Sequence, residues 1–111
     1  MKYRFEQYRI MWVLVLFDLP TETKKQRRDA AKFRKNLQGD GFNMFQYSIY
    51  TRHCASMENA TVHKKRVQNF LPEYGHVVIF TLTDKQFSDI MVFHARAPIT
   101  PNEEGYQLEL F

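Results

Sequence analysis

Apolar residues in this chain come in blocks whose spacing changes from solid to helical to alternating. The first block, Ile10-Met11-Trp12-Val13-Leu14-Val15-Leu16-Phe17, is unbroken over eight residues and partly β-branched. A half-buried strand would alternate, so this pattern predicts a strand buried on both faces or lying at the centre of a sheet. Pro20 ends it. Thr21 as N-cap and Glu22, which complements the helix dipole, predict a helix that runs to about Gln38, ahead of Gly39-Asp40-Gly41. At about 100° per residue, Ala30, Phe33 and Leu37 share a narrow arc that should face the core.

Residues 42–52 are rich in β-formers, and their length suits either two short strands or one long bent one. Ser56 then caps a second predicted helix in which Met57, Ala60, Val67, Phe70 and Leu71 share one side, stopped by Pro72 and Gly75. His76-Val77-Val78-Ile79-Phe80-Thr81-Leu82 predicts another strand. Thr83-Asp84-Lys85-Gln86 has capping-box spacing and should open a short helix carrying Phe87, Ile90 and Met91. At the two ends, residues 1–9 show no period and are expected to be a flexible lead-in, and residues 98–105 form a linker. The closing Tyr106-Gln107-Leu108-Glu109-Leu110-Phe111 alternates like a strand.

Strand, helix, strands, helix, strand is the ferredoxin-like order. The fold class expected is therefore α+β, a βαββαβ sandwich over residues 1–97 with both helices on one sheet face. Residues 98–111 add a linker and a C-terminal strand for dimer or partner contact. The sheet's other face needs cover, and a chain with 15% aromatic residues hides it most economically against a second copy. A homodimer follows, with the terminal strand available to extend the partner's sheet edge.

Composition narrows the classes. One domain fits 111 residues, and 44% hydrophobic content supports a packed core rather than disorder. The eight-residue apolar run is far short of the roughly 20 that cross a bilayer, so no membrane partner is expected. Asp18-Leu19-Pro20-Thr21-Glu22 stands where a signal-peptide cleavage site would be, which argues against secretion. A single cysteine, Cys54, and the absence of CxxC or paired-His spacing exclude an internal disulfide and structural zinc, and fit a cytoplasmic life.

Charge placement matters more than the net +4. Between positions 24 and 35 lie Lys24, Lys25, Arg27, Arg28, Lys32, Arg34 and Lys35 against one acid, Asp29. Lys24, Lys25, Arg28, Lys32 and Lys35 fall on an arc of about 100° of the predicted helix. Such a stripe is either a solvated helix face or a patch for phosphate backbones. Lys64-Lys65-Arg66 makes a second cluster.

Asp18 is the most informative single position, an acid closing a buried apolar strand. It is either an Asx-turn or helix-cap residue beside Pro20, or a metal ligand. Mg²⁺ often binds through only one or two carboxylates, and a twofold axis would bring a second Asp18. Such an ion could activate water for phosphodiester hydrolysis. His53, His63, His76 and His94 show no i, i+4 pair and no acid at ligand spacing, and read as ordinary surface or interface residues. Cys54 lacks an orienting group and reads as packing. No phosphate-binding glycine loop, serine elbow or aromatic RNA-recognition motif is present.

Val15-Leu16-Phe17-Asp18-Leu19-Pro20, Phe33-Arg34-Lys35, Gly41-Phe42-Asn43-Met44-Phe45-Gln46-Tyr47-Ser48-Ile49-Tyr50 and Thr83-Asp84-Lys85-Gln86-Phe87, in that order and spacing, resemble the CRISPR-associated Cas-two family over about residues 10–92. The Phe-Asp-Leu-Pro and Thr-Asp-Lys-Gln-Phe forms are similar to members from type II systems. The resemblance implies a ferredoxin-like homodimer at the hub of the CRISPR adaptation complex, held between dimers of the Cas-one integrase with duplex protospacer DNA across it. It also implies a metal-dependent endonuclease on RNA or DNA, using the aspartate at the end of strand one from both subunits, here Asp18, with Mg²⁺, or alternatively Mn²⁺, as cofactor. In the family the hub role does not need that activity. By position, the basic residues after strand one become the candidates for backbone contact, and the C-terminal strand for dimer and integrase contact. The tail beyond Met91 departs from the family pattern. Two function classes therefore stand, a DNA-binding scaffold and a phosphodiesterase. A ferredoxin-like small-molecule sensor is a third, and it would leave the basic stripe unexplained.

Overall fold

The computed structural model describes residues 10–99. The expected lead-in over 1–9 and the alternating strand at 106–111 lie outside the described residues. β1 (Met11–Asp18), α1 (Lys24–Gly39), β2 (Asn43–Gln46), β3 (Ile49–Cys54), α2 (Met57–Asn69) and β4 (His76–Thr83) follow one another, then a short α3 (Asp84–Ser88) and a hairpin of β5 (Val92–His94) and β6 (Ala97–Ile99). The main sheet is antiparallel throughout in the order β2-β3-β1-β4, the ferredoxin-like arrangement. Among the described residues no helix is long and apolar enough to cross a membrane.

The solid apolar run is explained by the position of β1, which pairs with β3 on one side and β4 on the other. Its odd positions, Met11, Val13, Val15 and Phe17, are buried against Phe33 and Leu37 of α1 and Ala60 and Val67 of α2. Phe17 meets Phe33 edge to face at 5.1 Å. Each large side chain buried there contributes about 1.5–3 kcal/mol. The even positions face outward. There Leu14 joins Phe45, Phe87 and Val92, with Trp12, Leu16, Ile49, Leu82 and Ile90 packed around them. Trp12 stacks on Phe87 at 3.9 Å and donates from Nε1 to the Asp84 carboxylate at 2.8 Å.

Several expectations change in detail. The α1 N-cap is Thr23, not Thr21, because Thr23 and Gln26 close a reciprocal capping box. Residues 42–52 resolve into two strands around a Tyr47-Ser48 turn, with a register shift between Met44 and Gln46. Met57 and Leu71 are about half exposed rather than core. Met57 opens α2, and Leu71 lies beyond its Phe70 C-cap, where Pro72 disfavours helical backbone in the residue before it. α3 stops at Ser88, which leaves Met91 80% exposed. The outer sheet face is partly covered by this chain's own α3 and β5, so a second copy need not hide all of it. Pro98 and Ile99, expected to begin a linker, belong to β6.

Candidate nucleic-acid interface and the Asp18 edge

β1 alternation puts Asp18 on the outer face at the end of the sheet that α3 does not reach. Its register partner on β4 is His76, and both are exposed. The Phe17 N–H donates to the Ser48 carbonyl at 3.0 Å, which holds β1 against the β2–β3 turn. On the other side, Gly75 approaches so closely that a Cβ there would lie 2.6 Å from the Asp18 carbonyl oxygen, and its φ of +102° is one that L side chains rarely adopt. Backbone on both sides therefore sets the position of Asp18. Its carboxylate makes no hydrogen bond or ion pair among the described residues, and the helix cap it could have supplied is Thr23. Beside it a shallow cleft is lined by Leu16, Ile49 and Val78, with Val78 55% exposed.

As a metal site this arrangement is half complete. No group of three His, Cys, Asp or Glu side chains comes together among the described residues. One chain offers the Asp18 carboxylate, with His76 across the ladder. That donor set fits Mg²⁺ or Mn²⁺ only if water, substrate phosphate or a second chain completes the shell.

The seven basic residues of the first cluster divide by what they touch. Lys25 bridges Asp29 at 2.9 Å and Glu73 at 3.3 Å, and those hydrogen bonds, Asp29 first, raise its pKa. Arg27 donates from Nη1 to the Thr21 and Glu22 carbonyls at 2.9 and 3.1 Å. Arg34 lies over the Tyr47 ring at 3.8 Å and donates to the Tyr47 carbonyl. These three are tied to their own fold. Lys24, Arg28, Lys32 and Lys35 are exposed and have no partner among the described residues. Their shared arc is a row of free cations on the solvent side of α1.

In the second basic cluster, Arg66 behaves differently from that row. Arg66 of α2 donates to Asp40 Oδ1 at 3.0 Å, and His63 Nδ1 sits 2.8 Å from Asp40 Oδ2. His63 is 4% exposed, which corrects its reading as an ordinary surface residue: its acid partner lies 23 residues away, across the helix pair. Arg52 adds a bond from Nε to the Asp40 carbonyl at 2.8 Å. Desolvation pushes the Asp40 pKa up, but the hydrogen bonds from His63 and Arg66 outweigh it and hold the carboxyl below its ordinary value. Arg66 is thereby a structural cation. Cys54 is buried, and burial raises its pKa, so it packs rather than attacks.

Comparison with known proteins identifies the family. The family described as CRISPR associated protein Cas2 matches residues 11–90. A protein of Flavobacterium psychrophilum named CRISPR-associated endoribonuclease Cas2 is 54% identical over 108 residues, 97% of this chain and 94% of that protein. A protein of the same name from Parvibaculum lavamentivorans is 50% identical over 101 residues, 91% of this chain and all of that protein. One from Ligilactobacillus salivarius is 45% identical over 80 residues, 72% of this chain and 79% of its own length. The matched region runs from the first residue of β1 to just past α3, and on that ground the chain belongs to the CRISPR-associated Cas2 family.

Proposed function

We propose that this protein works as a homodimeric hub in CRISPR adaptation, binding duplex DNA along α1 and bridging dimers of the Cas-one integrase. The observation that carries this reading is the row of Lys24, Arg28, Lys32 and Lys35, four exposed cations left without intramolecular partners among the described residues. Evenly placed cations without base-reading geometry suit a phosphate backbone of any sequence, and binding through them weakens steeply as salt rises. Dimer formation is supported by the uncovered end of the outer sheet face, where Val78 and Phe80 on the edge strand β4 are 55% and 36% exposed. A twofold contact there would bury them and bring two Asp18 carboxylates toward one another.

A second reading is favoured by Asp18 itself and by the endoribonuclease name of the relatives. A carboxylate held by backbone on both sides, with no partner among the described residues, is ready to take a divalent ion, which would supply water activation and charge stabilisation for phosphodiester hydrolysis. RNA and DNA are both open as substrates. One experiment separates the two: binding and cleavage of a labelled DNA duplex and an RNA strand by wild type and Asp18→Asn, with Mg²⁺ or EDTA, over a salt series. Cleavage that needs both Asp18 and metal establishes the nuclease. Duplex binding that survives the substitution and EDTA without cleavage supports the hub alone, and absence of duplex binding overturns it.

A further inference from the structure

The cleft between α1 and the β2–β3 turn shares no lining residue with the cleft at the Asp18 edge, and only Lys35 with the free cation row. It is an open cleft of about 560 Å³, within the size range of small-ligand sites. One wall is Arg27, Ala31 and Lys35 of α1, and the other is Met44, Tyr47 and Tyr50. Two observations single it out. Tyr50 is fully buried, and its hydroxyl is the one buried side-chain polar atom among the described residues that lacks a hydrogen-bond partner. An orphaned buried hydroxyl is unfavourable by about 1–3 kcal/mol, so its persistence calls for an explanation. Burial raises the pKa of that hydroxyl and Tyr47 adds to the effect, against the opposing influence of Arg34 and of Gln38, whose side chain lies near the hydroxyl without meeting hydrogen-bond geometry. The second observation is Tyr47, 61% exposed, with Arg34 stacked on it at 3.8 Å and the rest of the ring open to the cleft.

We propose that this cleft seats one nucleotide, either free or as an unpaired residue of a bound strand. The base lies between Met44 and the Tyr47 ring, the Tyr50 hydroxyl reaches a base-edge acceptor as Gln38 swings aside, and the phosphate meets Lys35 at the rim. The apolar floor and aromatic wall take a planar group that a bare phosphate would not use. Lys35 also belongs to the free row of α1, so a strand on that row could place an unpaired residue here. The strand-borne form rests on the nucleic-acid reading above, whereas the free form does not.

The test compares a blunt DNA duplex, the same duplex with single-stranded overhangs, adenosine 5′-monophosphate and inorganic phosphate, using wild type, Tyr50→Phe and Ala31→Leu. Tyr50→Phe keeps the ring and removes only an unpartnered hydroxyl, so thermal stability should hold or rise. Ala31→Leu fills the mouth from an exposed helical position without changing charge. The overhang should raise wild-type affinity about tenfold, the lower end of what one stacked base contributes. Both variants should lose that gain and bind the blunt duplex as before. The monophosphate, but not inorganic phosphate, should shift the amide resonances of Ala31, Tyr47 and Tyr50. Equal affinity for both duplexes with no such shifts overturns the seat and leaves duplex binding standing, as does an overhang preference that survives both variants. Monophosphate shifts without any duplex binding keep the seat for a free nucleotide and overturn the hub. Neither duplex binding nor shifts overturns both.

Discussion

Asp40 and Asp18 each stand at the end of a secondary-structure element beside a turn, yet the fold treats them in opposite ways. The Asp40 side chain is only 10% exposed and is shared by His63 and Arg66, while its backbone carbonyl accepts from Arg52. Asp18 is exposed and touches no cation among the described residues. The same contrast separates Arg66, tied to Asp40, from Lys32, tied to nothing described. A charge satisfied inside the chain serves the fold, and a charge held in place but unsatisfied is available to something outside it. Sorted this way, the basic residues after β1 shrink from seven candidates to a core of four.

The largest effect should come from Asp40→Ala, which strands His63 and frees Arg66. Removing one partner of a buried pair costs about 3 kcal/mol or more, measured as a lower urea midpoint with an unchanged slope. Unchanged stability would erase the distinction between the two aspartates. Gly75→Ala should follow at about 2 kcal/mol, since it forces an L side chain into positive φ and against the Asp18 carbonyl. A crystal structure of that variant with Asp18 undisplaced would show that Gly75 does not position it.

Acid sharpens the contrast. The folded-state pKa of Asp40 lies below its unfolded value, so its contribution to stability is complete above about pH 5 and is lost as pH falls through the depressed value. The acid limb of a stability–pH curve should therefore flatten in Asp40→Asn relative to wild type. An identical limb in both proteins would place the acid sensitivity elsewhere.

The smallest effects on folding should come from the unsatisfied charges. Arg28→Gln with Lys32→Gln should leave stability within about 0.5 kcal/mol while reducing the slope of log affinity against log salt for a DNA duplex by about 2 per chain. Lys25→Gln should reduce it less, its charge being shared with Asp29 and Glu73. An equal loss from Lys25→Gln would remove the division between tied and free cations. Asp18→Asn should change stability least, and any loss of metal-dependent cleavage then reports chemistry rather than unfolding.

Much of this was legible in the chain. The solid run of β1, the Ala30-Phe33-Leu37 arc and the Thr83–Gln86 capping box are local patterns, and each is found where its spacing points. Asp18 was recognisable because an acid at the end of a buried strand breaks the apolar pattern. What stayed hidden depends on residues distant in sequence. His63 has no acid at ligand spacing in the chain, and its partner is supplied only when α1 ends against α2. Arg34 looks like its basic neighbours until the β2–β3 turn brings Tyr47 beneath it. The Tyr50 hydroxyl, spaced like any strand tyrosine, is distinguished only by what fails to meet it.

Local pattern in the chain was enough for the main elements, their ferredoxin-like order and the position of the basic helix, because hydrophobic periodicity and capping act over a few residues and need no partner to be read. Which of those charges are already used depended on packing. Whether a cation is free depends on desolvation and on the few ångströms to an oxygen from any part of the chain, and that distance exists only once the sheet and helices have packed.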